Sequence, residues 1–132
     1  MRGGSGLAPT IEERALIAAR AADDKRGSNV LILDLRGLSS VTDYFVIVDA
    51  QTEVQVRAVT DGVAEALAEH GVSPLRKEGW ADARWVLLDY GDVVVHIFRT
   101  EEREYYDLER LWGDAPRFVL SEDQSKLAPA ER

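Results

Sequence analysis

Apolar positions along this chain follow two periodicities, and the switches between them lay out the elements in order. Ile11, Ala15, Ala18 and Ala22 recur at helical spacing. Thr10 precedes them with Glu13 three residues on, the pattern of a capping box, and Gly27 is placed to close the helix in a left-handed cap. Val30 to Leu35 and then Asp43 to Val48 are short, nearly continuous apolar runs, which read as strands buried on both sides. Thr52 and Gln55 form a second capping box, followed by Val56, Val59, Val63 and Leu67 at helical spacing and a stop at Gly71. Pro74 confines any strand over Val72 to Arg76 to a sheet edge.

The clearest pattern is a hairpin. Arg84 to Tyr90 and Val93 to Phe98 flank Gly91 and Asp92, and a glycine at the first central position suits a two-residue type II′ turn. That turn sets Tyr90 against Val93, Leu88 against Val95 and Val86 against Ile97, six apolar or aromatic residues on one face, which is the core face. The opposite face pairs Asp89 with Val94, Leu87 with His96 and Trp85 with Phe98. A face so apolar is either covered by a helix or is a binding surface. Coverage is the better reading for Leu87 and Phe98, whereas Trp85 and Asp89 have the composition of a binding hot spot. A longer loop starting at Tyr90 would instead turn that side chain outward at the tip. Thr100 is placed to cap a last helix with Tyr105, Leu108 and Leu111 or Trp112 inward and Gly113 as its stop.

The order is therefore α-β-β-α-β-β-β-α, an α/β domain on a mixed sheet of about five strands. The domain spans residues 10–116, between a flexible leader over 1–9 and a largely disordered polar tail over 117–132. Phe118, Val119 and Leu120 are candidates to dock back on the domain.

Composition adjusts this picture in three ways. A chain of 132 residues with 45% hydrophobic content can bury one ordinary core. The absence of cysteine excludes disulfides and thiol catalysis. No apolar run approaches the roughly 20 residues of a membrane span, and Met1 to Gly6 lacks the apolar stretch of a signal peptide, so a cytoplasmic location is expected. The formal net charge of −8 is the first functional clue. Such a surface is repelled by phosphate backbones and favours a basic partner over bare nucleic acid.

Catalytic chemistry is hard to assemble. His70 sits at a helix end, where it complements the dipole. His96 lies among apolar neighbours and reads as a satisfied core histidine. Ser39 and Ser40 lack the strained glycine elbow of a hydrolase, and no phosphate-binding glycine loop follows a strand. Asp43, Asp89 and Asp92 could in principle hold metal for phosphoryl transfer, but they read better as turn-forming and strand-capping residues. No metal or other cofactor is expected. From Glu101 to Asp114 six acids (Glu101, Glu102, Glu104, Asp107, Glu109, Asp114) stand against Arg103 and Arg110. Those in the first turn favour the helix dipole, and the paired tyrosines beside them could join a docking face.

Three ordered segments carry a resemblance. Thr42-Asp43-Tyr44-Phe45-Val46-Ile47, Glu78-Gly79 with Trp85 to Phe98, and Arg103-Glu104-Tyr105-Tyr106-Asp107-Leu108-Glu109-Arg110-Leu111-Trp112 resemble the ribosomal silencing factor family, also called Iojap-like proteins. The resemblance covers most of the chain between the leader and about Pro116. It implies a nucleotidyltransferase-like fold without the catalytic acids, hence no enzyme. It also implies binding to the large ribosomal subunit through the ribosomal protein numbered fourteen, on the intersubunit face. Occupancy there blocks joining of the small subunit when nutrients are limiting. Mitochondrial relatives also act in large-subunit assembly, and isolated members are often homodimers. Carried over by position, the partner-binding residues are Trp85 and Tyr90, with Asp89 and Asp92 nearby. Tyr90 stands where other members often have leucine, and Ala50 to Glu53 depart from the family's Gly- and Ser-rich segment. Two other readings compete: a nucleotidyltransferase-like enzyme using Asp43, Asp89 and Asp92, and a scaffold with no ribosomal partner.

Overall fold

The computed structural model describes residues 8–130, so most of the expected leader, residues 1–7, lies outside the described residues. In chain order the elements are α1 (Ile11–Asp24), β1 (Ser28–Asp34), β2 (Tyr44–Ala50), α2 (Glu53–Glu69), β3 (Arg76–Glu78), β4 (Trp85–Asp89), β5 (Val93–Arg99), α3 (Thr100–Tyr106), α4 (Leu108–Leu111), β6 (Arg117–Leu120) and β7 (Leu127–Pro129). One mixed sheet runs in the order β3-β4-β5-β2-β1-β6-β7. Every neighbouring pair is antiparallel except β2 with β5, whose parallel pairing needs the long crossover through α2 and the β3–β4 pair.

Apolar residues on both faces of the central strands explain the layers. Ile32, Val46, Val48, Val95 and Ile97 meet Ala15, Ala18 and Ala22 of α1 and Val56, Val59, Val63 and Leu67 of α2. Small alanines let α1 approach the sheet closely. Leu31, Leu33, Ile47 and Phe98 point the other way, under Leu108 and Trp112.

Local signals acted as expected at several points. Thr10 and Glu13 make both halves of their capping box. The hairpin has the expected register, with Val86 opposite Ile97, Leu88 opposite Val95 and Tyr90 N donating to Val93 O at 2.9 Å.

Others were overridden. The sheet has seven strands rather than about five, because the stretch expected as a disordered tail carries β6 and β7. The polar run Ser121 to Lys126 is only the hairpin turn, in which the Asp123 carboxylate accepts from Ser121 Oγ, Ser125 N and Ser125 Oγ. Phe118, Leu120 and Leu127 pack on the α1–α2 side and Val119 on the other, so β6 covers the edge that β1 would otherwise leave open. Thr52 Oγ1 accepts from Gln55 N, but the Gln55 side chain donates to Arg26 O instead of closing the second capping box. Arg26, not Gly27, takes the left-handed position after α1 (φ 65°). Gly27 is needed for another reason: a Cβ there would collide with Val48.

The last helix differs most. Asp107 adopts φ 48°, ψ 56° and breaks it into α3 and α4 at an elbow. Aspartate tolerates this conformation better than most residues. Tyr105 and Leu111, expected inward on one continuous helix, are 80% and 74% exposed on the two sides of the break. Thr100 is the first residue of α3 rather than its cap, and its hydroxyl donates to Asp49 Oδ2 at 2.8 Å.

Gly79 shapes the turn that delivers β4. It sits at φ 84°, and a Cβ would run into the Trp85 carbonyl. Gly79→Ala is therefore expected to lower stability by at least about 2 kcal/mol, since left-handed backbone alone costs a non-glycine residue roughly 1–3 kcal/mol. Urea denaturation of the variant checks this, and an unchanged midpoint would show that the turn re-forms without cost.

Candidate functional site

Strand alternation places Trp85, Leu87 and Asp89 on the face of β4 opposite to α1 and α2. Trp85 faces Phe98 across the strands and stacks on it, centroids 4.9 Å apart. Tyr106, the last residue of α3, lies over the same indole at 4.6 Å. Tyr105 meets Tyr106 edge-on at 5.0 Å. An aromatic ridge thus runs from exposed Tyr105 through Tyr106, which is 46% exposed, to half-buried Trp85 and the buried layer beneath.

That layer contains His96. Its Nδ1 accepts from the Trp85 indole Nε1 at 3.0 Å, Phe45 meets the imidazole edge to face at 4.4 Å, and Trp112 meets Phe45 at 6.0 Å. The histidine is only half satisfied. With Nδ1 as acceptor the proton sits on Nε2, which is buried and finds no partner among the described residues. Burial pushes the imidazole down to about 4, opposed weakly by the negative charge of Asp89.

The acids divide by role. Asp89 Oδ1 accepts from Gly91 N at 2.8 Å, and its Oδ2 is held by Arg76 at 3.2 Å, while Arg76 also reaches Glu78 at 2.8 Å. Its carboxylate is therefore already paired. Asp92 is exposed, and its carbonyl accepts from Asp43 N and Tyr44 N, which ties the hairpin turn to β2. The acids beside the exposed aromatics are instead Glu104 and Asp107, which line a groove with Tyr105, Tyr106, Arg110 and Leu111.

Tyr90 lies elsewhere. The two-residue turn puts it on the core face, 5% exposed and within the core cluster on the α1–α2 side, so its side chain is not part of the surface shared by Trp85 and Asp89. Burial pushes its phenol up to about 12, and the hydroxyl finds no partner among the described residues. Tyr106 takes the exposed aromatic position next to Trp85. The tyrosine pair was visible in the sequence, but the contact of Tyr106 with Trp85 joins α3 to β4, for which the helical period gave no signal.

A buried polar network fixes that elbow. Arg103 Nη1 donates to Asp49 Oδ1 and to Asn29 O, both at 2.7 Å, and its Nε donates to Glu109 Oε2 at 3.1 Å. Among the described residues no group of three or more His, Cys, Asp or Glu side chains is placed to hold a metal ion, and no helix is long and apolar enough to cross a membrane. His70 caps α2, with Nδ1 3.1 Å from Ala66 O.

His96 carries a pH prediction. Above about 6.5 the imidazole is neutral in the folded and unfolded chain alike. Between 6.5 and about 4 only the unfolded chain takes up the proton, so stability falls as pH falls through this window, and the loss is complete below it. The full span is about 3 kcal/mol. His96→Phe is expected to remove that part of the slope, read as the difference in unfolding free energy between pH 7 and pH 4.5 for parent and variant. Equal slopes would mean that the histidine already titrates normally in the fold.

Comparison with known proteins adds three findings. A family described as "Ribosomal silencing factor during starvation" matches residues 8–132, so the match includes the β6–β7 hairpin. Ribosomal silencing factor RsfS of Bacillus subtilis is 50% identical over 100 residues, 76% of this chain and 85% of that one, and its namesake from Halalkalibacterium halodurans is 45% identical over 83% of this chain and 93% of its own. A crystal structure of a protein from Chromobacterium violaceum superposes with a TM-score of 0.77 at 36% identity, covering 79% of this chain and 87% of that one.

Proposed function

This chain belongs to the ribosomal silencing factor family, and from that premise we propose that it represses translation by occupying the large ribosomal subunit. It docks through a basic ribosomal protein, the one numbered fourteen, on the face that meets the small subunit, and blocks subunit joining when nutrients are short. The work is done in the cytoplasm and needs occupancy rather than chemistry. When free the chain pairs as a homodimer.

The observation that carries this reading is the aromatic ridge of half-buried Trp85 and exposed Tyr106 with Glu104 and Asp107 beside it, on a chain of net charge −8. Large aromatic side chains supply area that is desolvated on binding, and the surrounding carboxylates steer a basic partner and set its orientation. The docking surface takes Trp85 as its anchor and Asp92 at its rim. Asp89 braces the hairpin through Arg76, and Tyr90 supports the same hairpin from the core side.

Sucrose-gradient sedimentation with separated subunits tests the proposal. The chain is expected to travel with large subunits and not with small ones, and to reduce joined ribosomes when both are mixed. A chain that stays at the top of every gradient, or that sediments with large subunits without reducing joining, would refute it.

A further inference from the structure

We infer that His96 is a positioning residue for the docking surface: its Nδ1 holds the Trp85 indole edge and so sets the face that Trp85 and Tyr106 present together. The inference rests on the docking reading above.

Trp85 and His96 are not cross-strand partners, because Trp85 stands opposite Phe98 and His96 opposite Leu87. The indole therefore leans along the strands to reach the imidazole at 3.0 Å. An indole N–H at a half-buried position needs an acceptor, and without one it turns toward water, which would swing the ring off Phe98 and out from under Tyr106. The acceptor must lie inside an apolar layer. A flat neutral ring fits there, nearly parallel to Phe98 (14°, centroids 6.1 Å) and edge-on to Phe45. A carboxylate in the same place would bring an unpaired charge into that layer.

The orphaned Nε2–H is the second observation. His96 is 4% exposed, and accepting on one ring nitrogen leaves the other a buried donor with no partner among the described residues. A core built for stability alone would carry an apolar residue here, since replacing a half-satisfied polar group by one of like shape removes the penalty. The fold tolerates the loss and keeps the acceptor. Because burial keeps the ring neutral well below neutral pH, the acceptor is present throughout the ordinary working range.

Two full-chain variants separate positioning from packing. His96→Phe keeps a flat ring and removes the acceptor, whereas His96→Asn removes the ring and keeps a side-chain carbonyl that can accept. Three readouts are taken: the indole ¹H–¹⁵N resonance of Trp85, co-sedimentation with purified large subunits, and the urea midpoint. His96→Phe is expected to move the Trp85 resonance toward that of a free indole and to weaken subunit binding roughly tenfold, the scale of re-ordering one side chain on binding. His96→Asn is expected to keep the Trp85 resonance near its parent position and binding within about twofold of the parent even where its midpoint falls, since hydrogen-bond acceptance and not ring packing is what it restores. Parent-like binding by His96→Phe overturns the inference, and so does an equal loss of binding in both variants. A parent chain that itself fails to sediment with large subunits sinks the docking reading, and with it the purpose assigned to His96. The indole resonance needs no ribosome, so in that case it still reports the Trp85–His96 hydrogen bond by itself.

Discussion

Replacing Arg103 with alanine is expected to destabilise the domain by about 3–5 kcal/mol, the cost of removing one member of a buried ion pair. The Asp49 side chain is 3% exposed and the Arg103 side chain 11%, so little water reaches either. Asp49 Oδ1 depends on Arg103, Oδ2 on the Thr100 hydroxyl, and the same guanidinium satisfies Asn29 O and Glu109 Oε2. Deleting it leaves a carboxylate in low dielectric with half its partners gone, along with a backbone carbonyl deprived of its donor. The pair itself need not be worth that much. Arg103→Met with Asp49→Leu is expected to recover the part of the loss that comes from the stranded Asp49 carboxylate, because apolar residues of similar volume often replace a buried pair at little cost, while Asn29 O and Glu109 stay without their donor. Urea denaturation of the single and double variants checks both statements. A single variant within 1 kcal/mol of the parent would show that solvent reaches Asp49 after all. The same network anchors the elbow that carries Tyr106, so Arg103→Ala is also expected to loosen the aromatic ridge.

The largest expected effect on function is at Trp85. Trp85→Ala should weaken large-subunit binding by at least about 30-fold, equivalent to roughly 2 kcal/mol, the threshold of a hot spot. The indole contributes area from inside a stack, between Phe98 and Tyr106, so removing it also leaves Tyr106 unsupported. Tyr106→Ala should therefore lose affinity as well, and the two losses should sum to more than the double variant shows, because the residues are in contact. Tyr90→Phe is expected to bind as the parent does and to be at least as stable, since it removes only a buried hydroxyl with no partner among the described residues. Glu104→Lys should slow association and flatten its salt dependence. Sedimentation titrations at two ionic strengths measure the affinities, stopped-flow mixing the association rate of Glu104→Lys, and urea denaturation the stability of Tyr90→Phe. Full binding by Trp85→Ala, with affinity lost in Tyr90→Phe, would put the contact surface on a different part of the hairpin.

Much of the architecture could be read from neighbouring residues. The cap at Thr10 and the pairing across Gly91 follow from interactions within a few positions, where backbone geometry leaves few choices. The double-sided burial of β1 and β2 follows from unbroken apolar runs. Trp85 and Asp89 were identifiable because alternation alone puts them on the face away from Tyr90, and the same hairpin was one of the three segments that carried the family resemblance. That resemblance pointed outward at Tyr90, yet the alternation that puts Trp85 on the outer face buries Tyr90.

The remainder depends on contacts between residues far apart in the chain. Phe118 to Leu120 is an ordinary short apolar run, and it becomes a strand because β1 offers an open edge and two apolar layers to fill. The helical period after Thr100 predicts one straight helix. Arg103 binds Asp49 and Asn29, more than fifty residues earlier, and Leu108 must reach the sheet, so the chain turns at Asp107 instead. With that turn Leu108 faces the sheet, Tyr105 and Leu111 stay at the surface, and Tyr106 lies against Trp85. Short-range preferences differ by about 1 kcal/mol or less per residue, whereas a buried ion pair or a filled apolar face outweighs several of them. Where the two conflicted, the long-range contacts prevailed, and they did so at the elbow that completes the proposed docking surface.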